Sequence, residues 1–159
     1  MSFQLSNRSL NKMEGVHPHL VDTVKRAIEL TKTDFGVIYG VRTLEEQKAL
    51  FEKGASKTMK SYHLQQEDGY GYAVDLMAYV GSRGSWELGL YDDLADAMKE
   101  ASIETDVHVR WGGAWTVNDL RAWEGTMEEA MNAYVDLRRS QNRRPFIDGP
   151  HFELRSVIG

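Results

Sequence analysis

The order of helix-like and strand-like segments is the feature that most limits how this chain can fold. Apolar residues recur with helical spacing over residues 20–31 and 90–101, and Pro18 suits the first turn of the earlier helix. Thr43 and Glu46 have the spacing of a capping box, which predicts another helix. Four short runs are typical of strands: residues 34–41, 73–79, 107–111 and 151–154. Because the segments follow no regular β-α-β order, the sequence predicts an α+β fold.

Length and composition predict a single domain over residues 1–159. Hydrophobic residues make up 42% of the chain and charged residues 27%, which are ordinary values for a globular protein. A chain of this length buries enough apolar surface to fold without cross-links. The sequence contains no repeat, low-complexity tract or interdomain linker.

Charge and cysteine content exclude several classes of protein. The chain has no cysteine, which excludes a disulfide framework, a thiolate metal site and a cysteine nucleophile. The formal net charge is −5, whereas a nucleic-acid-binding domain usually carries a basic stripe. Four arginines between 138 and 144 are explained by a helix C-terminus and a solvated face. We therefore expect no nucleic-acid partner.

The sequence also gives no indication of a membrane partner. No apolar run approaches the ~20 residues that a membrane-spanning helix needs. The first eight residues lack the apolar core of a signal peptide, so we expect no export by the usual route.

Two of the five histidines stand near carboxylates in a pattern that suits a metal. His63 lies in a predicted loop, Asp75 lies in a predicted strand, and His151 begins the last strand. A catalytic zinc site needs about three nitrogen or oxygen ligands and one open position for water, and these three side chains would supply them. The other three histidines have no such partners in the predicted elements, and we expect them to be exposed or to point out of a strand: His17, His19 and His108.

Asp148 is a candidate general base in the same site. It precedes His151 by three residues, and the intervening Gly-Pro suits a tight turn that would aim both side chains at one point. Zinc lowers the pKa of bound water to about 7, so a nearby carboxylate can take the proton. From spacing alone the alternative stays open that Asp148 only forms the turn through its side chain.

At these positions the chain resembles a family of zinc peptidases that includes D-Ala-D-Ala carboxypeptidases and phage L-alanyl-D-glutamate peptidases. The resemblance is carried by three segments: Ser61-Tyr-His63, Gly71-Tyr-Ala73-Val-Asp75 and Asp148-Gly-Pro-His151-Phe-Glu-Leu154. It implies a small antiparallel sheet flanked by helices, similar to hedgehog domains and DD-peptidases. It also implies one zinc ion in an open groove, held by His63, Asp75 and His151.

The resemblance assigns further side chains to the site. Val37-Ile-Tyr-Gly-Val-Arg42 is similar to a strand that leads to a substrate-binding arginine, which implies that Arg42 contacts substrate and polarises the scissile carbonyl. Arg110-Trp-Gly-Gly113-Ala-Trp115 is similar to a family element, so Trp111 and Trp115, together with Ser61, are implied to bind substrate. Glu153 either supports a metal ligand or points to solvent.

The chain departs from the family pattern at three places. Five extra residues lie between His63 and Asp75, within 64–70, and they include Glu67 and Asp68 as alternative carboxylate ligands. Ala114 stands where the family usually has aspartate. A helical insertion over 116–147 precedes the last motif, with an apolar stripe that we expect to pack on the domain, or alternatively to cover the groove.

The resemblance implies a zinc-dependent endolysin that hydrolyses the L-Ala–D-Glu bond of the peptidoglycan stem peptide. A D,D- or L,D-carboxypeptidase is the alternative within the enzymes, and a non-catalytic hedgehog-like binding module is the alternative from another class. We expect a monomer that is made in the host bacterial cytoplasm and reaches the periplasmic cell wall after the membrane is permeabilised.

Overall fold

The computed structural model describes residues 2–56 and 58–156. The helices are α1 (Asn7–Lys12), α2 (Pro18–Leu30), α3 (Leu44–Glu52), α4 (Leu88–Thr105) and α5 (Met127–Ser140), with a 3₁₀ turn at Leu120–Ala122. The strands are β1 (Asp34–Tyr39), β2 (Ala73–Val80), β3 (Arg83–Ser85), β4 (His108–Trp111) and β5 (His151–Ser156). None of the helices in this described part is long and apolar enough to cross a membrane.

The strands form one antiparallel sheet in the order β1-β2-β5-β4, and β3 pairs with β2 as a short hairpin. The pairing of β2 with β5 places Asp75 directly opposite His151. Two candidate metal ligands that are 76 residues apart in sequence are thus brought together by strand register. The predicted α+β fold with a small antiparallel sheet and helices is confirmed.

One hydrophobic core joins the sheet to the helices. Helices α2 and α4 pack on each other, and the buried residues form a continuous cluster that extends from α2 to α5. Representative members have no exposed surface: Leu20, Val24, Leu76, Met98, Met127 and Leu154. Burying such a side chain contributes roughly 1.5–3 kcal/mol, so this cluster provides a firm support for the sheet on which the site lies.

The insertion packs on the domain as predicted. Leu120, Met127, Ala130 and Tyr134 are buried, whereas Leu137 at the end of the stripe is 43% exposed. Hydrogen bonds also join this segment to α4 at two places. The Lys99 ammonium donates to the carbonyls of Trp123 and Gly125, and the Met127 amide donates to Asp96.

Two short elements differ from the sequence prediction. The sequence prediction did not include β3, which forms a hairpin with β2, or α1. Neither element has enough residues to show an apolar period, because β3 is Arg-Gly-Ser and α1 spans only six residues. By contrast, the capping box of Thr43 and Glu46 is present as predicted.

Candidate metal centre

Three side chains from a loop and two adjacent strands converge in the centre of the sheet. His63 Nε2 lies 3.2 Å from Asp75 Oδ1, and His151 Nδ1 lies 3.3 Å from the same oxygen. One ligand atom from each residue lies within 4.8 Å of the other two, which is close enough to hold one metal ion. The structure therefore brings together all three of the ligands predicted from the sequence.

The two imidazole rings are each oriented by a second oxygen. His63 Nδ1 lies 2.8 Å from the carbonyl oxygen of Gly40, and His151 Nε2 lies 2.8 Å from Glu153 Oε1. These oxygens occupy one ring nitrogen of each histidine, and the other nitrogen faces Asp75, where it would bind a metal after losing its proton. Metal-binding histidines usually have this arrangement, so the donor set and its surroundings fit a divalent metal such as zinc.

Glu153 supports His151 and does not point to solvent. Its side chain is buried, and it also accepts a hydrogen bond from Arg155 at 3.0 Å. The alternative of an exposed Glu153 is therefore wrong. The reason is strand alternation, since Glu153 lies two residues after His151 and both side chains are on the face of β5 that lines the cavity.

The charges of the site depend on one another. Burial alone would raise the pKa of Asp75, but hydrogen bonds with His151 and His63 outweigh it and hold that pKa well below its usual range. Burial would lower the pKa of His151, but hydrogen bonds with Asp75 and Glu153 raise it to about 10. A metal that binds Nδ1 of His151 must displace the proton, and the same carboxylates then compensate the charge of the cation.

Asp148 lies beside these ligands on a turn closed by the main chain. The His151 amide donates to the Asp148 carbonyl at 3.1 Å, and the Asp148 amide donates to the Gly112 carbonyl at 2.9 Å. The Asp148 carboxylate has no hydrogen-bond donor among the described residues, so the interpretation that it forms the turn through its side chain is wrong. Burial raises its pKa, which brings this carboxylate closer to the range in which a general base works at neutral pH.

The Trp-Gly-Gly element packs directly against this turn. Trp111 is fully buried, and its indole nitrogen donates to the Gly149 carbonyl at 2.7 Å. A side chain at Gly112 would collide with the carbonyl oxygen of Asp148, so only glycine permits this close approach. The prediction that Trp111 binds substrate is therefore wrong, because inward-facing positions of β4 belong to the core.

Arg42 reaches the metal ligands from the other side. Its Nη2 lies 4.0 Å from Asp75 Oδ2, and its Nη1 donates to Gln47 Oε1 at 2.7 Å. Gln47 is fully buried on α3 and donates in turn to Ser56 Oγ and to the Thr58 carbonyl. Sequence reasoning missed Gln47, although a glutamine on the apolar face of a helix is the signal that could have indicated it.

A cavity of about 610 Å³ opens over the site. Its lining contains the three candidate ligands and further side chains from both flanks: Arg42, Ser61, Arg110, Trp115, Asp148, Glu153 and Arg155. Ser61 Oγ accepts the His63 amide at 3.1 Å and so shapes the ligand loop. The Trp115 ring lies 5.6 Å from the His151 ring, and its indole nitrogen donates to the Phe146 carbonyl.

The extra residues before Asp75 do not supply a ligand. Asp68 accepts a hydrogen bond from the Tyr72 hydroxyl at 2.7 Å and lies 3.8 Å from His17, while Glu67 is exposed. Only Asp75 joins the two histidines in the candidate metal group of the described residues. His17 is also more enclosed than predicted, because its ring packs against Tyr70 of this segment and against Tyr72.

Two imidazoles and one carboxylate around a single metal position, with a free carboxylate and an arginine beside them, define the centre of a metal-dependent hydrolase. The family model of the phage L-alanyl-D-glutamate peptidases matches residues 1–155. The chain belongs to this family, and the predicted class of enzyme, a hydrolase of peptide bonds, is confirmed.

Two relatives are similar over most of the chain. The L-alanyl-D-glutamate peptidase of Escherichia phage T5 is 27% identical over 122 residues, which are 74% of this chain and 85% of that protein. The crystal structure of the Serratia marcescens L-Ala D-Glu endopeptidase ChiX has 28% sequence identity and a TM-score of 0.69. That match covers 97% of this chain and 91% of ChiX.

Proposed function

We propose that this protein hydrolyses the bond between L-Ala and D-Glu in the stem peptide of bacterial peptidoglycan, with one zinc ion held by His63, Asp75 and His151. The observation that carries the proposal is the convergence of these ligand atoms within 4.8 Å, beside Asp148, whose carboxylate accepts no hydrogen bond from the residues that the structure describes. Membership of the family and the names of both relatives support the choice of bond.

Zinc in this position would polarise the scissile carbonyl and lower the pKa of a bound water. Asp148 accepts the proton from the attacking water and passes it to the nitrogen of the departing D-Glu. Its raised pKa suits this double duty, since the group must bind and release a proton within one turnover.

Arg42 stabilises the negative charge that develops on the scissile carbonyl oxygen. The guanidinium is held beside Asp75 by buried Gln47, so it needs no reorganisation when the charge appears. Ser61 and Trp115 line the same cavity and are placed to bind the peptide there. Glu153 keeps His151 oriented.

The proposed biological role is that of an endolysin. The protein would act on the periplasmic cell wall of the host after the membrane is permeabilised. The expectation of a monomer stays a prediction.

Digestion of purified peptidoglycan by the zinc-loaded protein, with mass spectrometry of the released fragments, tests the proposal. We expect new L-Ala carboxyl ends on the glycan and peptides that begin with D-Glu. The His63→Ala variant should release neither, whereas His19→Ala, which removes an exposed histidine, should match the parent protein. Release of terminal D-Ala alone would replace the proposal by a carboxypeptidase, and no release from intact, zinc-loaded protein would favour a binding module.

A further inference from the structure

The cavity over the metal centre is cationic although the chain as a whole carries a net charge of −5. Arg42, Lys60, Arg110 and Arg155 line it, against three carboxylates of the site itself: Asp75, Asp148 and Glu153. A divalent metal would add further positive charge. A cleft with a net positive charge concentrates anionic ligands, so the excess of cationic groups in this cavity favours an anionic substrate.

The arginine pair Arg110 and Arg155 supplies the positive charge on one flank. Arg110 lies on β4 directly opposite Glu153 of β5, with Nη1 3.9 Å from Glu153 Oε2. Arg155 donates to the same oxygen at 3.0 Å. A single carboxylate therefore faces two guanidinium groups, and it also accepts a hydrogen bond from His151, which leaves a surplus of positive charge beside the metal ligands.

Both guanidinium groups of the arginine pair are held in place by aromatic rings. The Arg110 group lies 5.0 Å from the centre of the Trp115 ring and donates through Nε and Nη2 to the Trp115 carbonyl. The Arg155 group lies 5.0 Å from the Tyr62 ring and donates to the Tyr62 hydroxyl at 2.6 Å. Side chains fixed in this way lose little conformational freedom when they bind a ligand.

The arginine pair still has donors to offer. An arginine carries five N–H groups, and Nη1 of Arg110 and Nε and Nη2 of Arg155 make no hydrogen bond to any described residue. The side chains are 25% and 27% exposed, and both line the cavity. Planar guanidinium groups with free donors match the geometry of a carboxylate.

The position of the arginine pair separates it from Arg42. The strand order is β1-β2-β5-β4. Arg42 follows β1, and the arginine pair lies on β5 and β4, so the two sets lie on opposite sides of Asp75 on β2. A substrate whose scissile carbonyl faces Arg42 would extend its other groups towards β4 and β5. In the stem peptide, D-Glu continues the chain through its γ-carboxyl group, which leaves its α-carboxylate free beside the scissile bond.

We propose that Arg110 and Arg155 bind the free α-carboxylate of D-Glu and thereby make the enzyme selective for peptidoglycan in which this carboxylate is not amidated. This inference rests on the proposed function. It adds a specificity determinant outside the metal ligands, Arg42 and Asp148.

Synthetic acyl-L-Ala-γ-D-Glu-L-Lys peptides test the inference on the unmodified, zinc-loaded enzyme. One peptide carries the free α-carboxylate, and a matched peptide carries the α-carboxamide. A charge-assisted hydrogen bond contributes about 1.5–3 kcal/mol, so we expect kcat/KM for the amide to be roughly 10- to 100-fold lower. A third peptide, with a second carboxylate on residue three in place of Lys, should be cleaved as well as the first.

Variants locate the effect. Arg110→Ala and Arg155→Ala should each lower kcat/KM for the free acid at least about tenfold more than kcat/KM for the amide, since the amide lacks the interaction with the carboxylate. A loss that acts through Glu153 would affect both peptides alike. Arg110→Lys tests the same point with less disturbance of the Trp115 carbonyl. Arg83→Ala removes the same charge from exposed β3 and should discriminate between the peptides as the parent does.

The outcomes separate the two proposals. Equal cleavage of acid and amide by the parent enzyme, or equal losses on both peptides in the arginine variants, would overturn the carboxylate subsite while leaving the proposed function intact. A strong preference for the third peptide would assign the arginine pair to the carboxylate of residue three and overturn the assignment to D-Glu. Cleavage of none of the peptides would overturn the proposed function, and the inference with it.

Discussion

Two aspartates that burial removes from water, one in the metal centre and one on α4, have pKa values shifted in opposite directions. In the metal centre, Asp75 faces two imidazoles, and its pKa is lowered despite burial. On α4, Asp92 has one buried oxygen without a hydrogen-bond partner among the described residues, and its pKa is raised to about 6 by burial and by the neighbouring Glu128, Asp96 and Asp93. Burial is therefore common to both, and the sign of the surrounding charge distinguishes them.

The comparison shows what makes a carboxylate useful as a ligand. Asp75 is held ionised by imidazole N–H groups whose protons a metal can replace, so it is ready to bind a cation. The acidic groups of α4 have structural partners instead: Asp93 accepts a hydrogen bond from Thr33, and Asp96 caps the start of α5 through the Met127 amide. Asp92 has no such partner in the part of the chain that the structure describes, and it is a source of instability at neutral pH.

The largest expected effect is at the free carboxylate of the metal centre. Asp148→Asn should lower kcat by roughly 10²- to 10⁴-fold, the usual contribution of a general base, because the amide cannot accept the proton. Zinc content should be unchanged, since Asp148 is not among the three ligands. Steady-state kinetics with parallel metal analysis measure both quantities. Near-normal turnover in this variant would rule out Asp148 as the base.

A smaller loss is expected one step away from the metal. Glu153→Gln keeps the size of the side chain but removes the charge that supports His151, so zinc affinity should fall roughly 10- to 100-fold. Competition with a chromophoric chelator measures this affinity, and Glu100→Gln on the exposed face of α4 is the control. An unchanged affinity would show that Glu153 contributes only to packing.

A variant of Gln47 tests whether this side chain positions the Arg42 guanidinium. Gln47→Leu removes the acceptor that holds the guanidinium, and a lost hydrogen bond of about 1.4 kcal/mol would lower kcat about tenfold. The change should fall on kcat more than on KM if Arg42 acts on the developing charge. Gln65→Leu in an exposed loop serves as the control. A pure loss of thermal stability with normal kcat would limit Gln47 to a structural role.

The smallest effect concerns the other side of the comparison, and it should be a gain. The folded-state pKa of Asp92 lies above its ordinary value of 3.8, so the folded protein binds more protons between about pH 4 and 6 and its free energy of unfolding falls as pH rises through this range. Asp92→Asn should therefore stabilise the protein above pH 6 and have little effect below pH 4. Two pKa units correspond to about 3 kcal/mol, but partial exposure to water reduces the expected gain to about 1 kcal/mol.

Denaturant unfolding at pH 4 and pH 7.5 measures this gain, with Asp22→Asn at an exposed position of α2 as the matched loss of charge. Equal stabilisation by both variants would indicate a general effect of net charge, and it would remove the contrast between Asp92 and Asp75.

Local signals in the sequence determined much of the secondary structure. The capping box at Thr43, the apolar spacing of α2 and α4 and the strand-like runs depend on residues within a few positions of one another, so they can be recognised without the fold. The motifs around His63, Asp75 and His151 likewise indicated a metal site before any contact was known.

Only the tertiary structure decided which neighbours share the site. Strand alternation divides β5 and β4 into two faces, but it does not show which face is covered. Packing and strand pairing decide that Trp111 lies in the core and that Glu153 faces the cavity. The choice of Asp75 over Glu67 and Asp68 required the pairing of β2 with β5. Arg110 begins the Trp-Gly-Gly element and Arg155 follows the last motif, but neither position in sequence shows that the two side chains meet at Glu153. The pairing of β4 with β5 places them there, and the folded chain brings Gln47 of α3 to Arg42.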